Sequence, residues 1–332
     1  EGQTSMSWRA YLVERPIRGV DILAGKPSLL AVWLRSDQVT YLDLQTGITR
    51  GESTIPRPPQ ERTGEAWQAF LDALKAPNET ILPLVRSGKF TLLNSPNGQF
   101  RVIRSGATSL AYLADQKETP LELNEKVIDL TAVDVDRSFG LVAALDTVGV
   151  LHLFQQQLYV GSYPTGLTIE PELRPDLTIT GNGSSIFVSD GKQIAVYSAA
   201  GKLKRKLEVH YTMGMMRPSS NGKVVVTTDL DNGVIRIYHG ETFALMYQRF
   251  AVDLIAEARR IVITPGPAFP AGAIGSIAVN TRGVLAFTVG GVVCVTSLSR
   301  FKPLPGVLAA SAPNDEATEH RPDQTLPSAS AR

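Results

Sequence analysis

The feature that most constrains this chain is a strand-and-corner unit that recurs along most of its length. Residues 223 to 250, "KVVVTTDLDNGVIRIYHGETFALMYQRF", carry the clearest copy. "KVVVTT" is β-branched and short, as strands are. Asp231-Asn232-Gly233 follows, and Asn-Gly is a strong hairpin signal because its two residues must take positive φ. "VIRIY" alternates around Arg236, His239-Gly240-Glu241-Thr242 makes a second corner, and "FALMYQRF" reads as a further strand. Upstream, Ser220-Asn221-Gly222 turns out of another segment, "GMMRP". The stretch holds strands joined by tight turns in about 40 residues, the size of one propeller blade.

The pattern repeats. "LTITGNGSSIFVSDGKQIAVYSAAGKLKRKLEV" turns at Gly181-Asn182-Gly183, Asp190-Gly191 and Ala200-Gly201. "IDLTAVDVDRSFGLVAALDTVGVLHLFQQQLYVGSY" turns at Ser138-Phe139-Gly140 and between Asp146 and Gly149. "GVDILAGKPSLLAVWLRSDQVTYLDLQTGITRGESTI" has corners at Gly25-Lys26-Pro27, Ser36-Asp37 and Thr46-Gly47. "TILPLVRSGKFTLLNSPNGQFRVIRSGATSLAYLAD" has them at Gly88, Pro96-Asn97-Gly98 and Gly106, and "IGSIAVNTRGVLAFTVGGVVCVTSLSRF" at Arg282-Gly283 and Gly290-Gly291. About six such units, with middle corners roughly 40 to 60 residues apart, predict an all-β chain folded as a single β-propeller of four-stranded blades. The last unit lacks an outer strand. "SWRAYLVER", ahead of the first unit, supplies one, and pairing the two would close the ring and remove an open edge. A seventh, irregular blade in residues 251 to 273 and a pair of packed β-sandwiches are the alternatives.

Two segments interrupt the repeat. After the proline-rich "PRPPQERTG", Trp67, Phe70, Leu71 and Leu74 in "EAWQAFLDALKA" fall at i, i+3, i+4 and i+7, one apolar face of a helix. Glu65 near its start, Lys75 near its end and Pro77 beyond agree with the helix dipole and a stop signal. "ITPGPAFPAGA" reads as a loop. The expected layout is an extension over 1–6, a propeller over 7–302 with a helical insertion at 61–77, and a flexible tail over 303–332, where little apolar surface is present to bury.

Composition narrows the function classes. The 33 basic residues nearly balance the 32 acidic ones, which argues against nucleic acid as a partner. The single cysteine, Cys294, excludes an intramolecular disulfide and a cysteine-rich zinc module, and fits a reducing, cytoplasmic setting. Apolar runs are of strand length, short of the roughly 20 residues a membrane helix needs. The sequence opens at Glu1, so Met6 as a native start and a removed signal peptide both stay open.

With these units in view, the chain resembles β-propeller repeats of the WD40 and quinoprotein-like kind. "GVIRIYHGETFALMYQRF" is similar to the inner part of a WD40 repeat, with Tyr238-His239 where that repeat carries Trp-Asp. "VTYLDLQTGITRGE" is similar to the Leu-Asp-x-x-Thr-Gly stretch of quinoprotein-like repeats, at Leu42, Asp43, Thr46 and Gly47. The resemblance spans about residues 7 to 302 and implies a rigid platform for other proteins. Rim loops of a stiff disc vary without disturbing its core.

The chemical candidates are few. Asp229, Asp231 and Gly233 resemble the start of a calcium loop, but the glycine stands at position five rather than six and Gly240 occupies position twelve. A hairpin corner is the expected role. Asp134 and Asp136 share one strand face, either as ligand contacts at a channel mouth or as a solvated strand end. The four histidines are too scattered for a metal signature, and His152 in "VLHLF" reads as a hydrogen-bonded sheet residue. A Ser-His-Asp triad assembled from distant residues stays open, but no nucleophile elbow or phosphate-binding glycine loop supports one. Cys294 reads as a packed strand residue. Lys202, Lys204 and Lys206 in "KLKRKLEV" form either a patch for an acidic partner or an outer strand whose charges deter edge pairing. Trp67 and Phe70 either extend a docking surface or cover the side of a blade.

Together these features favour a non-enzymatic interaction scaffold, a subunit of a larger assembly with other protein subunits as partners and no cofactor, metal or membrane. The alternatives are a propeller hydrolase or lactonase with a metal in its channel, or a small-ligand sensor. Asp21, Arg86 and Asp134 are the polar candidates on largely apolar inner strands, and Trp67, Phe70, Lys202, Lys204 and Lys206 the candidates for partner docking.

Overall fold

Alternating β-branched residues between Gly, Asn and Asp corners organise the chain into short antiparallel strands, as the repeat requires. The computed structural model describes residues 9–12, 17–23, 29–34, 37–56, 59, 64–75, 85–87, 90–94, 100–105, 108–114, 117–123, 129–136, 138–170, 173, 175–219, 222–257, 274–279 and 283–297. The expected extension over 1–6 and tail over 303–332 lie outside them.

Strand β1 (Arg9–Leu12) precedes the first blade: β2 (Ile17–Ile22), β3 (Leu29–Leu34), β4 (Gln38–Asp43) and β5 (Thr49–Thr54). Helix α1 (Gly64–Lys75) leads into the second: β6 (Val85–Ser87), β7 (Phe90–Asn94), β8 (Phe100–Ser105), β9 (Leu110–Ala114) and β10 (Lys117–Pro120). The third is β11 (Leu130–Val135), β12 (Leu141–Asp146), β13 (Val150–Gln155) and β14 (Leu158–Pro164). The fourth is β15 (Asp176–Ile179), β16 (Ser185–Ser189), β17 (Gln193–Ser198) and β18 (Leu203–Glu208). The fifth is β19 (Met213–Pro218), β20 (Val224–Asp229), β21 (Val234–His239) and β22 (Leu245–Phe250). After α2 (Ala251–Glu257), β23 (Ile274–Val279), β24 (Val284–Val289) and β25 (Val292–Ser297) make the sixth.

Each blade is its own antiparallel sheet, so the described residues form a six-bladed propeller rather than two sandwiches. β1 pairs with β25, Ala10 opposite Cys294, and supplies the missing outer strand of the sixth blade. The ring is closed by strands from the two ends of the described chain. Innermost strands of neighbouring blades face one another, β2 against β23, β11 against β15 and β15 against β19. The second blade departs from four strands: β6 pairs with β7, its inner strand, and adds a fifth strand on the channel side.

The core lies between blades. Every residue of β12 is buried, and its Leu145 packs with Leu177 and Ile186 of the next blade. Helix α1 fills the gap between the first two blades. Its Trp67, Phe70 and Leu71 pack on Trp33, Val39 and Tyr41 from one side and Leu92 and Ile103 from the other. Burial of such side chains stabilises by roughly 1.5–3 kcal/mol each. A second helix, α2, stands in the stretch that the alternative of a seventh, irregular blade would have used. In α2, Ala251, Leu254 and Ile255 recur at i, i+3 and i+4 and bury against Ile235 and Phe287. Residues 258–273 lie outside the described part.

The corner between the second and third strands of a blade carries a recurring aspartate. Asp229 Oδ1 accepts the amides of Asp231 and Asn232 at 3.0 and 3.1 Å, so the acidic triplet is a turn. Asp146 Oδ1 accepts Val148 and Val150 at 3.0 and 2.8 Å, and Asp190 Oδ1 accepts Lys192 and Gln193 at 2.8 and 2.7 Å. These carboxylates replace the ladder bonds that a tight turn leaves unmade.

Candidate functional site

Polar side chains on and beside the inner strands join blade to blade. Arg104 Nη1 donates to the Leu130 carbonyl at 2.6 Å, from the second blade to the third. Asp134 Oδ2 accepts the Ile179 amide at 2.8 Å, from the third to the fourth. Asp176 Oδ2 accepts the Met216 amide and Arg217 Nη1, both at 2.7 Å, from the fourth to the fifth. Ser276 Oγ accepts the Val20 amide at 3.2 Å, from the sixth to the first.

A cavity of about 450 Å³ opens where the inner strands begin, and all six blades line it. Among the described residues its charged lining is Arg18, Arg104 and Arg217 with the carboxylate of Asp176. Four inner strands slip register beside it: between Ile17 and Gly19, Leu130 and Ala132, Met213 and Met216, and Ile274 and Ser276. Such bulges re-aim side chains and release backbone groups from the ladder. Arg18 lies over the Trp33 ring, 5.3 Å from its centroid, and reaches Asp37 at 3.5 Å.

Asp21, Arg86 and Asp134 stand on strands of three successive blades, and neither Asp21 nor Asp134 lines the cavity. Asp21 and Asp134 occupy matching registers, opposite Ala31 and Ala143. Arg86 stands opposite Thr91, a cavity residue, on the added strand β6. Asp134 and Asp136 are buried rather than a solvated strand end. Asp136 caps its own corner, accepting the Leu141 amide at 2.7 Å and the Ser138 hydroxyl. Among the described residues no group of three or more His, Cys, Asp or Glu side chains is placed to hold a metal ion.

Trp67 and Phe70, candidates for docking, are only 6% and 4% exposed. Trp67 Nε1 also donates to Glu118 at 3.1 Å. The outward face of α1 is Glu65, Gln68 and Asp72 instead. Strand β18 is exposed, but its cations already have partners. Lys204 Nζ donates to the Ser184 carbonyl at 2.9 Å and Lys206 Nζ to the Gly166 carbonyl at 2.8 Å. Arg205 donates forward to the Thr242 carbonyl of the fifth blade. Lys202 stands exposed just before the strand. The charges on this strand thus brace the rim as well as guard an edge.

His152 is a satisfied sheet residue. Its Nε2 lies 3.1 Å from Asp146 Oδ2 and its Nδ1 3.3 Å from the Tyr159 hydroxyl. Nε2–H donates to the Asp146 carboxylate, which can only accept, so both ring nitrogens have a partner. Burial pushes the Cys294 thiol up to about 12, which keeps it unreactive.

The cavity arginines are the site residues that sequence reading missed. Arg18 and Arg217 flank Gly19 and Pro218; Arg18 lies within a slip of the strand pairing and Arg217 follows another, in step with the cavity residue Met215. Period-two alternation breaks at a bulge, so no sequence pattern placed them. The glycine in "IRGV" was the available signal, since isolated strand glycines mark bulges.

No family model and no curated protein sequence matches the chain. Solved structures do. The β-propeller domain of Myceliophteria thermophila Cps50 (Swd1) is similar at 14% identity and TM-score 0.50, over 85% of this chain and 83% of that one. Chaetomium thermophilum Raptor is similar at 8% identity and TM-score 0.60, over 91% of this chain and 30% of that one. At these identities the likeness is one of fold, and it agrees with the six-bladed propeller described above.

Proposed function

We propose that this propeller is a non-enzymatic interaction platform, a cytoplasmic subunit of a larger assembly whose partners are proteins. The carrying observation is on the outer rim. Leu158 is 73% exposed and Leu203 48%, on the outer strands of neighbouring blades, and Lys202 lies beside Leu203. Exposed apolar side chains on a rim that also carries charge are what partners cover. Tyr163 of the third blade covers Gly201 of the fourth, where an added Cβ would overlap the ring, so the two blades meet closely there. The carboxylates of Asp134 and Asp176 are committed to joining blades, which supports the platform over a metal hydrolase in the channel.

The test is affinity capture from native lysate with mass spectrometry, comparing the full chain with a Leu158→Asp, Leu203→Asp double variant. Both positions are exposed, so the fold is expected to persist. A stoichiometric protein partner that rebinds the purified chain and is lost with the double variant supports the reading. No partner at stoichiometric level overturns it.

A further inference from the structure

We infer that strand β18 is a docking edge for an acidic, extended protein segment, which joins the fourth blade as a further strand. This rests on the platform reading and names the chemistry of the partner at that rim. Lys202 and, on the strand itself, Lys204, Arg205 and Lys206 are all exposed. Three of them bond neutral oxygens. Lys204 donates to the Ser184 carbonyl and the Ser185 hydroxyl, Lys206 to the Gly166 carbonyl and Arg205 to the Thr242 carbonyl. Such bonds orient the cations without cancelling their charge. Among the described residues none of the four forms an ion pair, and the strand's own carboxylate is Glu208. Strand β5 gives the contrast. It is as exposed, but Arg50 pairs with Asp43 at 2.9 Å and Glu52 adds a negative charge.

The edge itself selects protein over other polyanions. Strand β18 is outermost in its blade and, among the described residues, pairs with β17 alone. Its far edge offers N–H and C=O groups at strand spacing, which a peptide backbone matches and a nucleic acid or a lipid headgroup does not. The cations that repel a second copy of this strand attract one that sets carboxylates opposite them, so they choose the partner. Because they lie in one short run, a single extended segment passes all of them. An ammonium carries three donors, so Lys204 keeps one and Lys206 two for that segment. Leu203, within the same run, is 48% exposed and supplies an apolar contact.

The experiment titrates the full chain into a fluorescein-labelled peptide of alternating glutamate and threonine, read by anisotropy at fixed ionic strength. We expect saturable binding. Replacing Lys202, Lys204 and Lys206 together by glutamine should weaken it about tenfold, and Lys202→Glu alone about threefold. Arg50→Gln, on the other exposed outer strand, should leave it unchanged. The same peptide N-methylated throughout keeps its charge but cannot pair as a strand, and should bind far less well. No saturable binding overturns the proposal, as do equal affinities for the parent and the lysine variants or for the two peptides. Tighter, lysine-dependent binding of oligothymidylate, or of phosphatidylcholine vesicles containing phosphatidylserine, overturns it in favour of those ligands. If the triple variant fails to fold, Lys202→Glu decides alone, since that side chain makes no bond among the described residues. A partner captured from lysate without peptide binding sinks this inference and spares the platform; peptide binding without a captured partner does the reverse.

Discussion

The corners of the third, fourth and fifth blades set three aspartates to one task under different conditions. Asp190 caps its turn through Oδ1. Asp146 caps its turn and meets the imidazole of His152 through its other oxygen. Asp229 caps its turn, accepts Asn232 Nδ2 at 3.2 Å and pairs with Arg236 at 2.8 Å, whose guanidinium lies 3.9 Å over the Tyr211 ring. Beneath it Tyr211 links Thr227 and Tyr238 through hydroxyls at 2.8 and 3.0 Å. Asp229 and its surroundings show how a fully buried carboxylate stays ionised. Burial pushes its pKa up, but the hydrogen bonds from Arg236 and Asn232 outweigh that and hold it below the ordinary carboxylate value. The repeat therefore fixes the turn and leaves the free oxygen to each blade.

Truncating the three aspartates would break the comparison in a set order. Asp229→Ala leaves a partly buried guanidinium unpaired and should cost about 3–5 kcal/mol by urea unfolding. Asp146→Ala loses the turn bonds and the histidine and should cost about 2–3 kcal/mol, and Asp190→Ala about 1.5 kcal/mol. Equal losses at all three would mean that the free oxygen contributes nothing.

Acid sharpens the same contrast. Because the folded pKa of Asp229 lies below its unfolded value, its contribution is complete above the ordinary carboxylate range and is lost as pH falls through and below that range. Between pH 6 and 3 the Asp229→Asn variant should lose less stability than the parent. Parallel curves would contradict the assignment. Asp43 is the control at the small end. It accepts the Gln45 and Thr46 amides and pairs with Arg50 at 2.9 Å, yet Arg50 is about half exposed. The Arg50 bond and then the corner amide hold its carboxyl at about 2, so its contribution is complete above the ordinary carboxylate range and is lost as pH falls from there through about 2. Asp43→Asn should shift stability by about 0.5 kcal/mol or less, measured by thermal unfolding. A loss as large as that at Asp146 would show that bond number, not burial, sets the scale.

Much of the architecture was legible because it follows from local chemistry. Corners such as Asp231-Asn232-Gly233 and the stripe of Trp67, Phe70 and Leu71 are readable without tertiary information. The spare strand ahead of the first unit was legible because an open edge must be covered. Helix α2 was not, since seven residues beside a Pro- and Gly-rich run give too little period to detect. The channel was the least legible part. Asp134, open between a ligand contact and a solvated strand end, accepts the Ile179 amide sideways, a bond made between blades that no single repeat encodes. Arg18 reaches the cavity within a slip in register and Arg217 just past another, and a slip resets the alternation that a sequence pattern relies on.

The seam between β1 and β25 sets a timetable for synthesis. Arg9 is made early and its partner Val295 near the end of the described chain. At roughly 5–20 residues per second, β1 waits about 15 s to 1 min for its place. Five blades can assemble during that interval while one apolar strand remains unclaimed. The nascent chain is most exposed to mispairing just before the ring shuts, and a factor that shields β1 on the ribosome would act on the yield of the protein rather than on its final stability.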